Sequence, residues 1–268
     1  MKREEPPAPV PGASPDRREG EDLWQRHKAE PGVWTKPMLR ALENGGPKGN
    51  KWFSLIDKVA SERTLGIAWE QVRSNAGACG VDRISVAGFE QDSEKRLLAV
   101  KEHLREGSYR PHAVRRVMIP KSKGRHRPLG IPTVRDRVVQ TALKKVVEPI
   151  FEKEFSPWSF GFRPGVGCMD ALREVERHLK AGFTHIVDID IEGYFENIDH
   201  GLLMERVRDR VADGRVLGLI EGLLKQGVME EGVMWQPEKG SPQGGVISTL
   251  LANIYLSELD WRMNHGPV

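Results

Sequence analysis

Apolar residues in the first half of the chain recur mostly at helical spacing. Leu65, Ala68, Trp69 and Val72 mark one helix between Ser54 and Gly107, and Leu97, Leu98 and Leu104 mark another. The glycine-bearing stretch AGACGVDRIS separates them as a turn. A shorter helix over 36–43 precedes both and is stopped by Asn44-Gly45-Gly46, with Trp34 and Trp52 as candidate anchors. The period then shortens. Val117, Met118 and Ile119, followed by Leu129 and Ile131, read as the two strands of a hairpin. Thr133 is placed to cap a long helix whose buried stripe is Val134, Val138, Ala142, Val146 and Ile150, and Pro149 should end or kink it. After the loop SFGFRPG comes a helix over 170–180, running through Ala171, Leu172, Val175 and Leu179.

Ile186, Val187, Ile189 and Ile191 read as a buried strand. Asp199 can cap the next helix, with His200 a residue of the capping region, and a further helix covers 215–226. A hairpin turning at Glu230-Glu231-Gly232 leads to a glycine-rich turn. The last helix carries Ile247, Leu250, Leu251, Ile254 and Leu259 inward. Helices dominate and strands are scattered, so the expected class is α+β.

Composition changes this picture little. The 268 residues carry a formal charge of only +3, with no apolar run of eighteen and no apolar leader, so neither a membrane span nor a secretory signal is expected. Residues 1–33 begin with a proline-rich stretch poor in large apolar side chains and are expected to be a disordered tail. Cys79 and Cys168 are too few for a disulfide framework or a zinc site and suit a reducing cytoplasm.

The placement of charge says more. Nine Lys or Arg stand against the single acid Asp136 between Arg110 and Arg137, interleaved with the strand residues, a surface suited to phosphates. In the 185–192 segment, Asp188 and Asp190 lie two apart. In a strand they share a face, and burying two charges without a partner is costly. A basic side chain or a metal ion should therefore meet them. GSPQGG adds a turn whose glycines allow close backbone approach.

The ordered series IPK…RPLGIPT…DR, SFGFRPG, DIDIEGYFENIDH and GSPQGGVIS…LLANIYL resembles the reverse transcriptase/maturase encoded by bacterial group II introns, over about residues 34–261. The resemblance implies a right-hand polymerase, with fingers over 34–181 and part of the palm over 182–268. It implies RNA-directed DNA polymerisation with Mg²⁺, using dNTPs, template–primer RNA/DNA and intron RNA. By the same match, Asp190 is the catalytic aspartate and a metal ligand together with the Ile191 carbonyl. Lys121 and Arg127 clamp the triphosphate, Phe195 lies under the sugar, and Gln243 tracks the template–primer near the new base pair. Arg115, Arg116, Lys123, Arg125 and Arg163 are candidate nucleic-acid contacts, Arg163 with a bracing role as its alternative. Asp188 is read as a structural partner and not as a second metal ligand, and Tyr194 as core.

Two departures qualify the resemblance. Thr249 stands where the family usually has proline, and the family's aromatic-X-Asp-Asp motif does not occur before Val268. These 268 residues alone are therefore expected not to polymerise. A non-catalytic RNA-binding splicing cofactor and an inactive truncated remnant are the alternative readings, and retron-type, diversity-generating and CRISPR-associated reverse transcriptases share the palm chemistry.

Overall fold

The computed structural model describes residues 33–44, 46–47, 50–120 and 126–265. It is α+β, with helices packed around one apolar core and a small four-stranded sheet. The first helix, α1 (Lys36–Glu43), packs through the buried Leu42, and α2 (Ile56–Val59) and α3 (Glu62–Asn75) follow. The Ser61 hydroxyl caps α3 by accepting from the Thr64 amide at 3.1 Å. Leu65, Ala68, Trp69 and Val72 are buried, as their spacing predicts. Val33, Trp34 and Trp52 join the core, the two indoles meeting edge-on at 5.1 Å. The rest of the expected tail lies outside the described residues.

Helices α4 (Val86–Glu90) and α5 (Ser93–Glu106) complete the first helical group. On α5 the inward residues are Val100 and Leu104, while Leu98 is exposed, so the stripe is narrower than its apolar residues suggest.

The long helix α6 (Val134–Glu152) is the centre of the molecule. Thr133 caps it as expected, accepting from the Asp136 amide at 3.1 Å. Pro149 does not end it. Proline cannot donate to the carbonyl four residues back, and here the Trp34 indole donates to that carbonyl, Lys145, at 3.2 Å. The N-terminal segment thus closes over the proline, and the helix runs on to Glu152.

Strand β1 (Val114–Pro120) pairs antiparallel with β2 (His126–Ile131) and parallel with β3 (Val228–Glu230), which pairs antiparallel with β4 (Val233–Trp235). The sheet order β2-β1-β3-β4 fuses the two hairpins that the sequence shows about a hundred residues apart. Helices α8 (His200–Arg208), α9 (Gly214–Leu224) and α10 (Ser248–His265) close the core through Leu203, Val207, Ile220, Leu224, Leu250, Leu251 and Ile254. Leu259 is exposed and not inward. The helix capped by Asp199 ends at Arg208, and Asp213 starts the next one. Its carboxylate accepts from Arg215 and Val216 and also from the Ile56 amide at 2.9 Å.

The 185–191 segment corrects the sequence reading most. It forms neither helix nor strand and has no strand partner among the described residues, and Ile186, Val187 and Ile189 are 76%, 84% and 68% exposed. Alternation marks the capacity to be buried, but a strand needs a neighbouring backbone to pair with, and no such pairing forms among the described residues. Helix α7 (Cys168–Lys180), just before it, likewise has no buried residue and presents Met169, Leu172, Val175 and Leu179 to solvent.

Candidate nucleotide and nucleic-acid site

The GSPQGG turn sits at the junction of sheet and helices. Its backbone is threaded onto the one-turn 3₁₀ helix Phe195–Asn197 and the residue that follows. The Gly240 amide donates to the Ile198 carbonyl at 2.7 Å, and the Ser241 amide to the Phe195 carbonyl at 2.8 Å. Gly240 has φ of +90°, and a Cβ there would strike the Glu196 backbone, so the approach requires glycine. The Gln243 side chain donates to the Glu196 carboxylate at 2.7 Å, and the Gln243 main-chain carbonyl accepts from the Gly130 amide of β2 at 2.6 Å. Gln243 therefore ties the Phe195 segment to the strand that carries Arg127.

Two residues that the motifs did not assign to this turn hold it in place. The buried Gln140 on α6 accepts from the Val246 amide at 2.8 Å, and His200 Nε2 donates to the Gly240 carbonyl at 2.6 Å. His200 is thus a clamp on the turn as well as the first residue of its helix. A glutamine on the inward side of an apolar helix was the available signal for Gln140, because buried amides need partners.

Phe195 is half-buried, edge-on to Tyr194 at 5.7 Å and to Phe162 at 6.5 Å. Tyr194 packs against the core as expected and donates its hydroxyl to the Ala252 carbonyl at 2.6 Å.

Much of the basic stretch supports structure. Arg115 donates twice to the Cys79 carbonyl, at 3.0 and 2.8 Å, and Arg137 holds the Ala76 and Ala78 carbonyls. Arg135 reaches Asp136, which is fully buried and also accepts from the Tyr109 hydroxyl and the His112 amide. Burial, with the Asp136 charge second, pushes the Tyr109 hydroxyl well above its usual range, so it keeps the proton it donates. Arg116 stands over the Trp235 ring, 3.6 Å from Glu230. Arg127 is exposed near the free end of the hairpin and has no side-chain partner among the described residues. Lys121, Lys123 and Arg125 lie outside the described residues.

Arg163 is a brace and does not face solvent. It bonds Glu152 through Nε and Nη2 at 2.9 and 2.7 Å and the Ser156 and Ser159 carbonyls through Nη1, with 7% of its side chain exposed. Its candidacy as a nucleic-acid contact is set aside, because its guanidinium is already engaged. Burial raises the Glu152 carboxyl above the usual range, and Arg163 pulls it partly back.

Asp188, Asp190 and Ile191 are exposed in the 185–191 segment. Neither carboxylate has a side-chain partner among the described residues, so the structural partner expected for Asp188 is not found there. No group of three His, Cys, Asp or Glu residues among those described is arranged to hold a metal ion.

The described architecture is a helical body with a basic hairpin joined to the Phe195–Asn197 turn through the Pro-Gln-Gly turn. The family model for reverse transcriptase (RNA-dependent DNA polymerase) matches residues 119–266, more than half the chain. The chain belongs to the reverse transcriptase family. Among its relatives are Protein YkfC of Escherichia coli, 40% identical over 185 residues, and the group II intron-encoded protein LtrA of Lactococcus lactis, 39% identical over 200 residues. These alignments cover 68% and 72% of this chain but 49% and 32% of the relatives, so the chain spans at most about half their length. A solved partial Cas6-RT-Cas1–Cas2 complex matches in fold with a TM-score of 0.54 and 21% identity, over 79% of this chain and 35% of that one.

Proposed function

We propose that this chain supplies the fingers (34–181) and first part of the palm (182–268) of an RNA-directed DNA polymerase of the group II intron type, copying intron RNA into DNA. The carrying observation is the Gln243 joint, which ties Phe195, Glu196 and the Arg127-bearing strand into one unit. Arg127, with Lys121, grips the triphosphate of a dNTP. A planar guanidinium suits phosphate, and Arg127 has no competing carboxylate among the described residues. Phe195 lies under the sugar, its ring fixed by Tyr194 and Phe162 so that it excludes a 2′-hydroxyl. Gln243 tracks the template–primer.

The Asp190 carboxylate and the Ile191 carbonyl are oxygen donors of the hard type that Mg²⁺ prefers, and one or two carboxylates with substrate phosphates commonly suffice. The bound ion would supply the charge that activates the primer hydroxyl and stabilises the phosphates. No described helix is long and apolar enough to cross a membrane. Both cysteines are free, in keeping with a cytoplasmic protein.

The test is nucleotide binding to the 268-residue protein with template–primer and Mg²⁺. Arg127→Ala should weaken a dNTP at least about tenfold, the scale of a lost charge-assisted contact, and weaken the matching nucleoside far less. Phe195→Ala should let a ribonucleotide compete. Equal dNTP binding by the wild type and Arg127→Ala would overturn the reading. A splicing-cofactor role has one observation in its favour, a 36% identity over 94 residues to Nuclear intron maturase 1 of Arabidopsis thaliana. It predicts RNA binding without this dNTP dependence.

A further inference from the structure

The four-stranded sheet has two faces, and Arg127, the proposed triphosphate contact, lies on only one of them. Cross-strand partners share a face and neighbours along a strand alternate. The pairs Ile119↔Arg127 and Val117↔Leu129 therefore lie on one side, and Arg116↔Gly130 and Met118↔Pro128 on the other. Val114 pairs with Val228 and Val228 with Trp235, which puts Trp235 beside Arg116 on the face turned away from Arg127.

On that second face is a cleft of about 220 Å³, walled by Pro237 and residues 239–243 and bounded by Glu196, so that it adjoins the Gln243 joint. A single water has a share of roughly 30 Å³, so the cleft has room for a flat organic group. Trp235 and Pro128 line it, and the exposed Met118 and Val233 extend its face over the sheet. Arg116 lies over the indole, 5.5 Å from the ring centre. Its nearest carboxylate, Glu230, is 3.6 Å away, beyond the ~2.7–2.9 Å of a charge-assisted hydrogen bond. Lys239 at the wall bonds only the neutral Asn197 amide oxygen among the described residues, at 2.8 Å, and the Glu196 carboxylate is taken by Gln243.

The geometry points to a second nucleic-acid site on this face. One base of single-stranded RNA stacks on Trp235 in the cleft, and Arg116 and Lys239 meet the flanking phosphates. Aromatic platforms flanked by cations bind splayed single-stranded bases in a sequence-tolerant way. A duplex keeps its bases stacked inside and has nothing to offer the indole. The site rests on the reading that this chain binds RNA.

The test is equilibrium binding of a labelled single-stranded RNA, and of a blunt duplex of the same sequence, over a range of salt. Trp235→Ala should weaken single-strand binding at least about fivefold, the low end for a lost base stack, with the salt slope unchanged and duplex binding unaffected. Trp235→Phe should keep most of the affinity. Arg116→Ala should reduce the slope of log K against log[salt] by about 0.7, one phosphate contact on a single strand. In the wild type, an RNA carrying 4-thiouridine should photo-crosslink to the peptide bearing Trp235, a readout independent of any variant's folding. Unchanged single-strand binding in Trp235→Ala, or crosslinks confined to other peptides, overturns this site while leaving the dNTP reading standing. A wild type that binds no RNA at low salt overturns both.

Discussion

Arg163 and Phe162 are chain neighbours with opposite surroundings. Arg163 turns inward onto Glu152 and two carbonyls, while Phe162, at φ of +56°, is 65% exposed beside Phe195. In sequence the pair sits in an aromatic and basic loop, and a cation there is as compatible with phosphate as with a brace. What decides is Glu152, eleven residues earlier and buried at the end of a helix whose length could not be read past Pro149. Arg163→Ala should lower stability by about 3–5 kcal/mol, the scale for removing one partner of a buried ion pair. Urea unfolding would measure it. Arg163→Lys should restore only part, because an ammonium cannot serve Glu152 and both carbonyls together.

At the scale of elements, the β3–β4 hairpin closes through Glu231 and Gly232, with φ of +49° and +87°. Both central residues of such a turn need positive φ, and Asn-Gly is the favoured pair. Glu231→Asn should therefore add roughly 0.5–1 kcal/mol of stability by relieving strain, seen as a modestly higher melting temperature. A lower melting temperature would assign the glutamate a role outside the turn. This hairpin was legible because turn chemistry is local. The 185–191 segment was not, although its alternation is stronger. Whether such a segment becomes a strand depends on a second backbone, and the apolar stripe of α7, helical in spacing but unburied among the described residues, shows the same dependence on packing.

At the scale of the whole molecule, the sheet and the helical core meet through the Pro-Gln-Gly turn. Gly244 has φ of +109°, and a Cβ there would press on the Gly130 carbonyl oxygen of β2 and on Leu129. Gly244→Ala should cost roughly 1–3 kcal/mol through backbone strain, and more through the forced separation from β2. Thermal melting would show this, and dNTP binding should fall with it, since Arg127 rides on the displaced strand. If the variant melted as the wild type does and bound dNTP equally well, the turn would not be the joint described.

The residues by themselves determined the α+β class, the capped helix from Thr133, the basic hairpin, the buried stripes of α3 and α6, and the motif series that leads to the family. All of these are set by spacing or by turn and cap chemistry within a few residues, where backbone geometry leaves little choice. Tertiary structure decided the rest. It joined two distant hairpins into one sheet, let α6 pass Pro149 under Trp34, and recruited Gln140 and His200 to hold the turn. It also engaged Arg115 and Arg163, candidate nucleic-acid contacts in sequence, with backbone carbonyls as struts. A charged side chain looks the same in sequence whether it faces solvent or a carbonyl. Its role follows from which partner the packing brings within about 3 Å, and that partner here is most often a residue far away along the chain.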